Sequence, residues 1–108
     1  MDPSALHADD QPLTNAAIQK LMDEVPEWDL VQEGGADKLR RTFEFRNFAE
    51  ALGFTNRVGE LAEEHRHHPI ITVTWGRATI TWYTHDINGL RHNDFKMAAR
   101  TAKLYSAP

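Results

Sequence analysis

Apolar residues recur at helical spacing in three parts of the chain. In the first part they are Leu13, Ala17, Leu21 and Val25. Thr14 or Asn15 is placed to cap the start of this helix, and Pro26 ends it. The first helix is therefore predicted within residues 13–25.

The second helical pattern is longer and begins after Asn47, a candidate N-cap. Its apolar residues are Phe48, Leu52, Val58 and Leu61. Pro69 ends the pattern, because the residue before a proline is pushed out of the helical region. A third, alanine-rich pattern covers residues 93–105 and predicts a final helix.

Between the helices the periodicity changes to the alternation of strands. Residues 28–32 and 37–46 form two such runs, and Gly34-Gly35 between them predicts a hairpin turn. In the second run one side carries Leu39, Arg41, Phe43 and Phe45. Residues 70–85 are rich in β-branched and aromatic side chains and predict a second hairpin, with its turn at Gly76-Arg77.

The resulting order is α-β-β-α-β-β-α. Strand pairs separated by single helices favour an α+β fold, a four-stranded antiparallel sheet with three helices on one face. At 108 residues the chain is long enough for one domain with a modest core. Residues 1–12 are polar and lack periodicity, so we expect a flexible tail there and a single domain over residues 13–108.

The composition excludes several classes of function. The formal net charge is −4 and no dense basic run exists, which argues against direct nucleic-acid or membrane partners. There is no cysteine, so disulfides and thiolate chemistry are excluded. No apolar stretch reaches membrane-span length, and the N-terminus does not resemble a signal peptide. We therefore expect a cytoplasmic protein.

The candidate chemistry is concentrated in "EEHRHHPII", residues 63–71, which holds three of the six histidines. If the helix continues to residue 68, Glu63 and His67 share a face, as do Glu64 and His68. A carboxylate one turn before an imidazole fixes its tautomer and suits it to acid–base catalysis. Taken alone, these nine residues also fit a solvated helix end rich in polar residues, which they favour over a metal site.

A histidine and an acid further along the chain strengthen the catalytic interpretation. His85 lies at the end of the last predicted strand, and Asp94 lies in the first turn of the last predicted helix. Side chains at the ends of separate elements can converge on one site. His65 and His68, three residues apart, could hold a metal together, but its third ligand would have to come from His85 or Asp94. Neither an HExxH motif nor a cysteine ligand is present.

These residues resemble the pterin-4a-carbinolamine dehydratase family. The resemblance rests on E-x-x-x-H-H-P at residues 63–69, an aromatic at Trp75, Thr84-His85, Gly89-Leu90 and Asp94. It extends upstream through "FEFRNFAEALGFTNRV", residues 43–58, and covers residues 13–105 in all. The family fold it implies agrees with the architecture predicted above.

The resemblance implies a lyase that removes water from 4a-hydroxytetrahydrobiopterin to give quinonoid dihydropterin, in pterin recycling for aromatic amino acid hydroxylation. It implies no cofactor and no metal, and assembly as a homodimer or homotetramer. The implied catalytic residues are His67, His68, His85 and Asp94. The implied substrate-binding residues are Glu63, Arg66, Pro69, Tyr83, Thr84 and Asp86.

Within this set we expect His67 and His85 to transfer protons and His68 to hold the substrate. Glu63 is expected to steady His67, and Asp94 to orient a histidine or the pterin. Trp75 could form a pocket wall or pack in the core, and core packing is favoured.

One position departs from the family pattern. Arg91 stands where a small hydroxyl residue is common, and arginine cannot cap a helix, so Asn93 is expected to cap the last helix from a shifted start. The alternative function is a non-enzymatic dimerisation or assembly cofactor on the same fold. Retention of all the motif histidines favours the enzyme.

Overall fold

The computed structural model describes residues 11–106. Its helices are α1 (Asn15–Met22), α2 (Phe48–His65) and α3 (His92–Ser106). Its strands are β1 (Asp29–Glu33), β2 (Ala36–Glu44), β3 (Ile70–Thr74) and β4 (Arg77–Trp82). A short 3-10 helix, His85–Ile87, connects β4 to α3. Residues 1–10 of the predicted tail lie outside the described residues.

The four strands form one antiparallel sheet in the order β1-β2-β4-β3. Helices α2 and α3 pack against it, and Ile18 of α1 joins the same buried cluster. The predicted α+β fold, with three helices on one face and the order α-β-β-α-β-β-α, is confirmed. The order brings the end of α2, the end of β4 and the start of α3 to the same side of the molecule.

The core forms where the apolar side of β2 meets α2. Leu39 and Phe43 are buried as their alternation predicts, and the rings of Phe43 and Phe54 lie 4.7 Å apart. Arg41 points to the same side of the strand, and its guanidinium lies 4.4 Å from the centre of the Phe43 ring. Arg41 therefore covers the core with its side chain while its Nη2 contacts Glu27.

Local chemistry accounts for the ends of the elements. Thr14 caps α1 by accepting a hydrogen bond from Ala17 N–H, and Asn47 caps α2 by accepting one from Glu50 N–H. Gly34 and Gly35 form the two-residue turn of the first hairpin with φ angles of 58° and 76°. Positive φ at both positions is what a type I′ turn needs, and glycine supplies it without steric penalty.

Several positions differ from the sequence-based expectation. Trp75 is 72% exposed, so the expectation that it packs in the core is wrong. The turn of the second hairpin is Trp75-Gly76, and Arg77 already belongs to β4. Phe48 and Leu52 are 43% and 41% exposed, because the buried face of α2 is formed by other residues. These are Ala51, Phe54, Thr55, Val58 and Ala62.

Among residues 11–106, no helix is both long enough and apolar enough to cross a membrane.

Candidate active site

The end of α2 determines how the histidines of the motif are presented. The helix ends at His65, three residues earlier than the longest helix considered from the sequence. Arg66 follows in the left-handed conformation with φ 51° and ψ 40°. Its N–H bonds to Glu63 O, and the N–H of His67 bonds to Ala62 O. This pair of bonds is a Schellman motif, which turns His67 and His68 away from the helix axis.

This early ending changes the expected partner of Glu63. Glu63 Oε2 lies 2.5 Å from Nε2 of His68, so the expected contact between Glu63 and His67 is not formed. The reason is that His67 lies beyond the left-handed residue, where i, i+4 helical spacing no longer applies. The Glu63–His68 pair is exposed, with 78% and 62% of the two side chains accessible.

His67 instead contacts Asp94 at the start of α3. Its Nε2 lies 2.5 Å from Asp94 Oδ1. The carboxylate is completely buried, whereas the His67 side chain keeps 13% of its surface exposed. The histidine that Asp94 contacts is therefore His67, and the orienting role of Asp94 stays a prediction.

Asp94 also organises the first turn of α3. Its Oδ2 accepts a hydrogen bond from Arg91 N–H at 2.9 Å, which is one half of a capping box. Helix α3 begins at His92, so Asn93 lies inside the first turn and the expected Asn93 cap is wrong. The Asp94 side chain, at the third residue of the helix, accepts from the Arg91 N–H. This backbone donor is therefore satisfied although arginine has no capping side chain.

His85 approaches from the short 3-10 helix that follows β4. Its Nε2 lies 3.1 Å from the backbone oxygen of His68, so the two histidine-bearing segments are directly linked. The Tyr83 ring packs on the His85 ring with centroids 4.3 Å apart. Lys38 Nζ lies 4.4 Å from the centre of the Tyr83 ring. His85 is thus held at its Nε2 edge and on one face.

The partners of the three imidazoles assign their protons. A backbone oxygen and an ionised carboxylate can only accept hydrogen bonds. His85 Nε2 faces the His68 oxygen, and the other two Nε2 atoms face carboxylates. Each Nε2 therefore carries hydrogen. In the neutral form of each ring, Nδ1 is left with the lone pair that can accept a proton.

A cavity of about 530 Å³ opens between these segments. This volume is in the range of small-molecule sites. It is lined by His65, Arg66, His67, His68, Thr84, His85, Asp86, Arg91 and Asn93. Asp94 lies behind His67, Tyr83 lies against His85, and Glu63 contacts His68. Pro69 follows His68 and directs the chain into β3 without itself lining the cavity.

Trp75 lies far from this cavity. It follows β3, six residues after Pro69, which corresponds to about 20 Å of extended strand. A separate cavity of about 440 Å³ there is lined by Glu44, Phe45, Thr74, Trp75, Gly76 and Arg77. Trp75 is therefore not a wall of the histidine cavity.

The sequence did not point to two neighbours of the site. The Trp82 ring stacks on the His67 ring, with centroids 5.5 Å apart and planes 14° apart. The alternation of β4 indicates a core position for Trp82, and only the structure places it against the histidine. Lys38 has no sequence signal either, because it reaches Tyr83 from β2, which neighbours β4 in the sheet but is distant in sequence.

Within residues 11–106, no group of three or more histidine, cysteine, aspartate or glutamate side chains is arranged to hold a metal ion. The histidines instead bond to carboxylates and to a backbone oxygen.

Comparisons with known proteins found relatives over most of the chain. A family model described as "Pterin 4 alpha carbinolamine dehydratase" matches residues 11–104. A protein of Marinobacter nauticus named "Putative pterin-4-alpha-carbinolamine dehydratase" is 52% identical over 94% of this chain and 92% of its own length. A protein of Chlorobium limicola with the same name is 53% identical over 87% of this chain and 83% of its own.

Solved structures show the same architecture. A transcriptional coactivator/pterin dehydratase from Brucella melitensis superposes with a TM-score of 0.80 at 28% identity, covering 88% of this chain and 99% of that one. A pterin dehydratase-like protein identified as a RuBisCO assembly factor superposes with a TM-score of 0.63 at 22% identity, covering 76% and 93%. The second likeness concerns the fold alone. The match over residues 11–104 and the close relatives together show that the chain belongs to the pterin 4 alpha carbinolamine dehydratase family.

Proposed function

We propose that the chain is a 4a-hydroxytetrahydrobiopterin dehydratase. The observation that supports this most is the convergence of His67, His68 and His85 on one cavity, each with its Nε2 hydrogen-bonded. Dehydration of a carbinolamine needs one group that gives a proton and another that takes one near neutral pH. Histidine is the side chain whose ordinary pKa suits both roles.

The proposed reaction requires two proton transfers and no redox change. The bond from C4a to its hydroxyl oxygen breaks, and a protonated histidine supplies the proton that lets the hydroxyl leave as water. The electron pair of the N5–H bond forms the C4a–N5 double bond, and a neutral histidine takes the N5 proton. The product is quinonoid dihydropterin, and neither a metal nor a cofactor takes part in the proposed steps.

We assign the proton transfers to His67 and His85. His67 is partly buried, and its Nε2 contacts the Asp94 carboxylate. His85 lies across the cavity and is held by the His68 backbone oxygen. His68 is exposed and paired with Glu63, which suits substrate binding at the rim.

The other substrate-binding residues are assigned from the lining of the cavity. Arg66, Thr84 and Asp86 line it and are assigned to pterin binding. Tyr83 and Glu63 support the lining histidines, and Pro69 sets the direction of the chain after His68. Pterin rings carry several hydrogen-bond donors and acceptors, so a polar lining of this kind suits them.

The direct test is the loss of chemically generated 4a-hydroxytetrahydropterin, followed by absorbance. Wild type is compared with His67→Ala, and with His92→Ala as a control histidine outside the cavity. Fast dehydration that collapses only in His67→Ala supports the proposal. A folded wild-type protein that does not accelerate the reaction contradicts it.

The family resemblance further suggests a cytoplasmic role in pterin recycling and assembly into a homodimer or homotetramer. Phe48 and Leu52 lie one helical turn apart on α2 and are both more than 40% exposed. This exposed pair also favours the second candidate, a dimerisation or assembly cofactor without catalysis. Light scattering of wild type and Leu52→Asp measures whether this face holds copies of the chain together, independently of dehydratase activity.

A further inference from the structure

Asp94 receives three hydrogen bonds although it is completely buried. Oδ1 faces His67 Nε2 at 2.5 Å. Oδ2 accepts from the Thr84 hydroxyl at 2.8 Å and from Arg91 N–H at 2.9 Å. The two oxygens therefore have separate partners: Oδ1 contacts the His67 ring, and Oδ2 is held by Thr84 and Arg91.

This separation depends on the donors around Oδ2. The terminal torsion of an aspartate side chain is broad, so its rotamer alone does not fix which oxygen faces His67. Thr84 lies two residues beyond the end of β4 and Arg91 directly precedes α3, so their two donors reach Oδ2 from different segments of the chain. Thr84 is 5% exposed, which protects its hydrogen bond from exchange with water.

The position of the carboxylate in turn fixes the tautomer of His67. With Oδ1 as a hydrogen-bond acceptor, His67 carries hydrogen on Nε2 and offers the Nδ1 lone pair. The ring face is fixed independently by Trp82, whose indole N–H donates to the buried Thr101 hydroxyl at 3.0 Å. With the plane fixed by Trp82 and Nε2 directed to Oδ1, the remaining freedom of His67 is which nitrogen carries hydrogen.

We propose that Thr84 is a positioning residue, which acts through Asp94 to hold His67 in the Nε2–H tautomer. The expected effect on turnover rests on the proposed dehydratase function, whereas the tautomer does not. Thr84 also lines the cavity, but its hydroxyl is directed to the carboxylate and is already used as a donor. Its assigned contact with the pterin therefore falls to its methyl group, which valine keeps.

The chain offers a matched control three residues earlier, in β4 itself. Thr81 is 2% exposed, and its hydroxyl accepts a hydrogen bond from Arg40 Nε at 3.0 Å, away from the cavity. Thr81→Val and Thr84→Val make the same isosteric change in two buried threonines. A purely structural role of Thr84 predicts the same consequences for both variants.

Kinetics separate the two roles. We expect Thr84→Val to lower kcat about tenfold or more with KM changed less than about threefold, the order set by losing one hydrogen bond to an ionised group. Thr84→Ser keeps the hydroxyl and should restore most of kcat, and Thr81→Val should keep the wild-type kcat. Equal losses in the two valine variants, or no rescue by serine, would overturn the proposal.

Nitrogen-15 NMR of the histidine rings tests the tautomer without any assay. Neutral wild-type His67 should show a single Nε2–H form, and Thr84→Val should show a mixture with Nδ1–H. A wild-type Nδ1–H form would overturn the proposal even if no valine variant folds. If the wild type is inactive but shows the Nε2–H form and the valine variant shows the mixture, the dehydratase proposal fails and the positioning role stands.

Discussion

The Nε2 atom of His67 lies 2.5 Å from Oδ1 of Asp94, and that carboxylate is completely buried. The pair joins the chain just beyond α2 to the first turn of α3. It adds a polar link to the packing between the two helices. A buried carboxylate persists only when its oxygens are hydrogen-bonded, and Asp94 meets this condition through His67, Thr84 and Arg91. The most sensitive test of the site is therefore the charge of Asp94.

Asp94→Asn should lower kcat by about 10²–10⁴-fold, the range of general acid–base catalysis. The donors from Thr84 and Arg91 will hold the amide oxygen at the Oδ2 position. The amide nitrogen then meets His67 Nε2–H, so two donors face each other and the histidine must change tautomer. Stopped-flow dehydration and thermal unfolding measure the two effects separately.

The exposed Asp29 provides the control for Asp94→Asn. Asp29→Asn removes an equal charge at the start of β1 and should leave kcat unchanged. A folded Asp94→Asn protein with wild-type kcat would show that the carboxylate does not support His67 during the reaction.

His85→Ala should lower turnover about 10²-fold or more while the protein stays folded. His85 is exposed on the short 3-10 helix, and the described polar contact of its side chain is one bond to the His68 oxygen. Exposed substitutions of this kind usually change the free energy of unfolding by no more than about 0.5 kcal/mol. Full activity in the variant, or its unfolding, would mean that His85 has a different role.

Acid should weaken one capping interaction of α2. Hydrogen bonds from the Arg46 guanidinium, and then from its backbone N–H, hold the pKa of Glu50 below its ordinary value of 4.5. Because the folded-state pKa is lower than the unfolded one, the stabilisation is present above 4.5 and is lost as pH falls through the folded value. Glu50→Gln should therefore be less stable than wild type at neutral pH and equally stable in acid.

Denaturant unfolding at neutral pH and at about pH 3 measures this difference. Glu60→Gln, which removes an exposed carboxylate from the same helix, is the control and should show no such convergence with wild type. A difference between Glu50→Gln and wild type that persists unchanged in acid would assign the effect to packing.

Much of the fold follows from local patterns in the sequence. The period changes from alternating to helical at Asn47 and back to alternating at Pro69, and both residues mark real boundaries of α2 or its neighbours. Gly34 and Gly35 fix the first hairpin because few other residues adopt positive φ twice in succession. These signals act within a few residues, so they can be recognised without tertiary contacts.

The site itself was only partly predictable, because its contacts join residues distant in the chain. Helical spacing predicts Glu63 beside His67. The left-handed Arg66 ends the helix before His67, and Glu63 contacts His68 instead. No local pattern indicates a left-handed arginine, since glycine or asparagine is usual there. The burial of Trp75 was mispredicted for a related reason. Trp75 lies in a turn, where no alternation of polar and apolar residues indicates which side a side chain faces.

Arg66 offers the last prediction, because its backbone conformation is unfavourable for its side chain. It holds φ 51°, where a residue with a Cβ is disfavoured by about 1 kcal/mol or more. Asn88 adopts nearly the same conformation in this chain with φ 49°, and asparagine tolerates it well. The side chain of Arg66 lines the cavity, so an observed strain coincides with a candidate substrate contact.

Arg66→Asn should therefore separate stability from binding. We expect the free energy of unfolding to rise by up to about 1 kcal/mol, because the strain at this position is relieved. KM should rise about tenfold, because a charge-assisted hydrogen bond to the pterin is lost, while kcat changes little. Arg57→Gln removes a positive charge from α2 away from the cavity and should leave KM unaltered. An unchanged KM in Arg66→Asn would remove Arg66 from the substrate-binding residues, and a loss of stability would show that the arginine is held there by its own contacts.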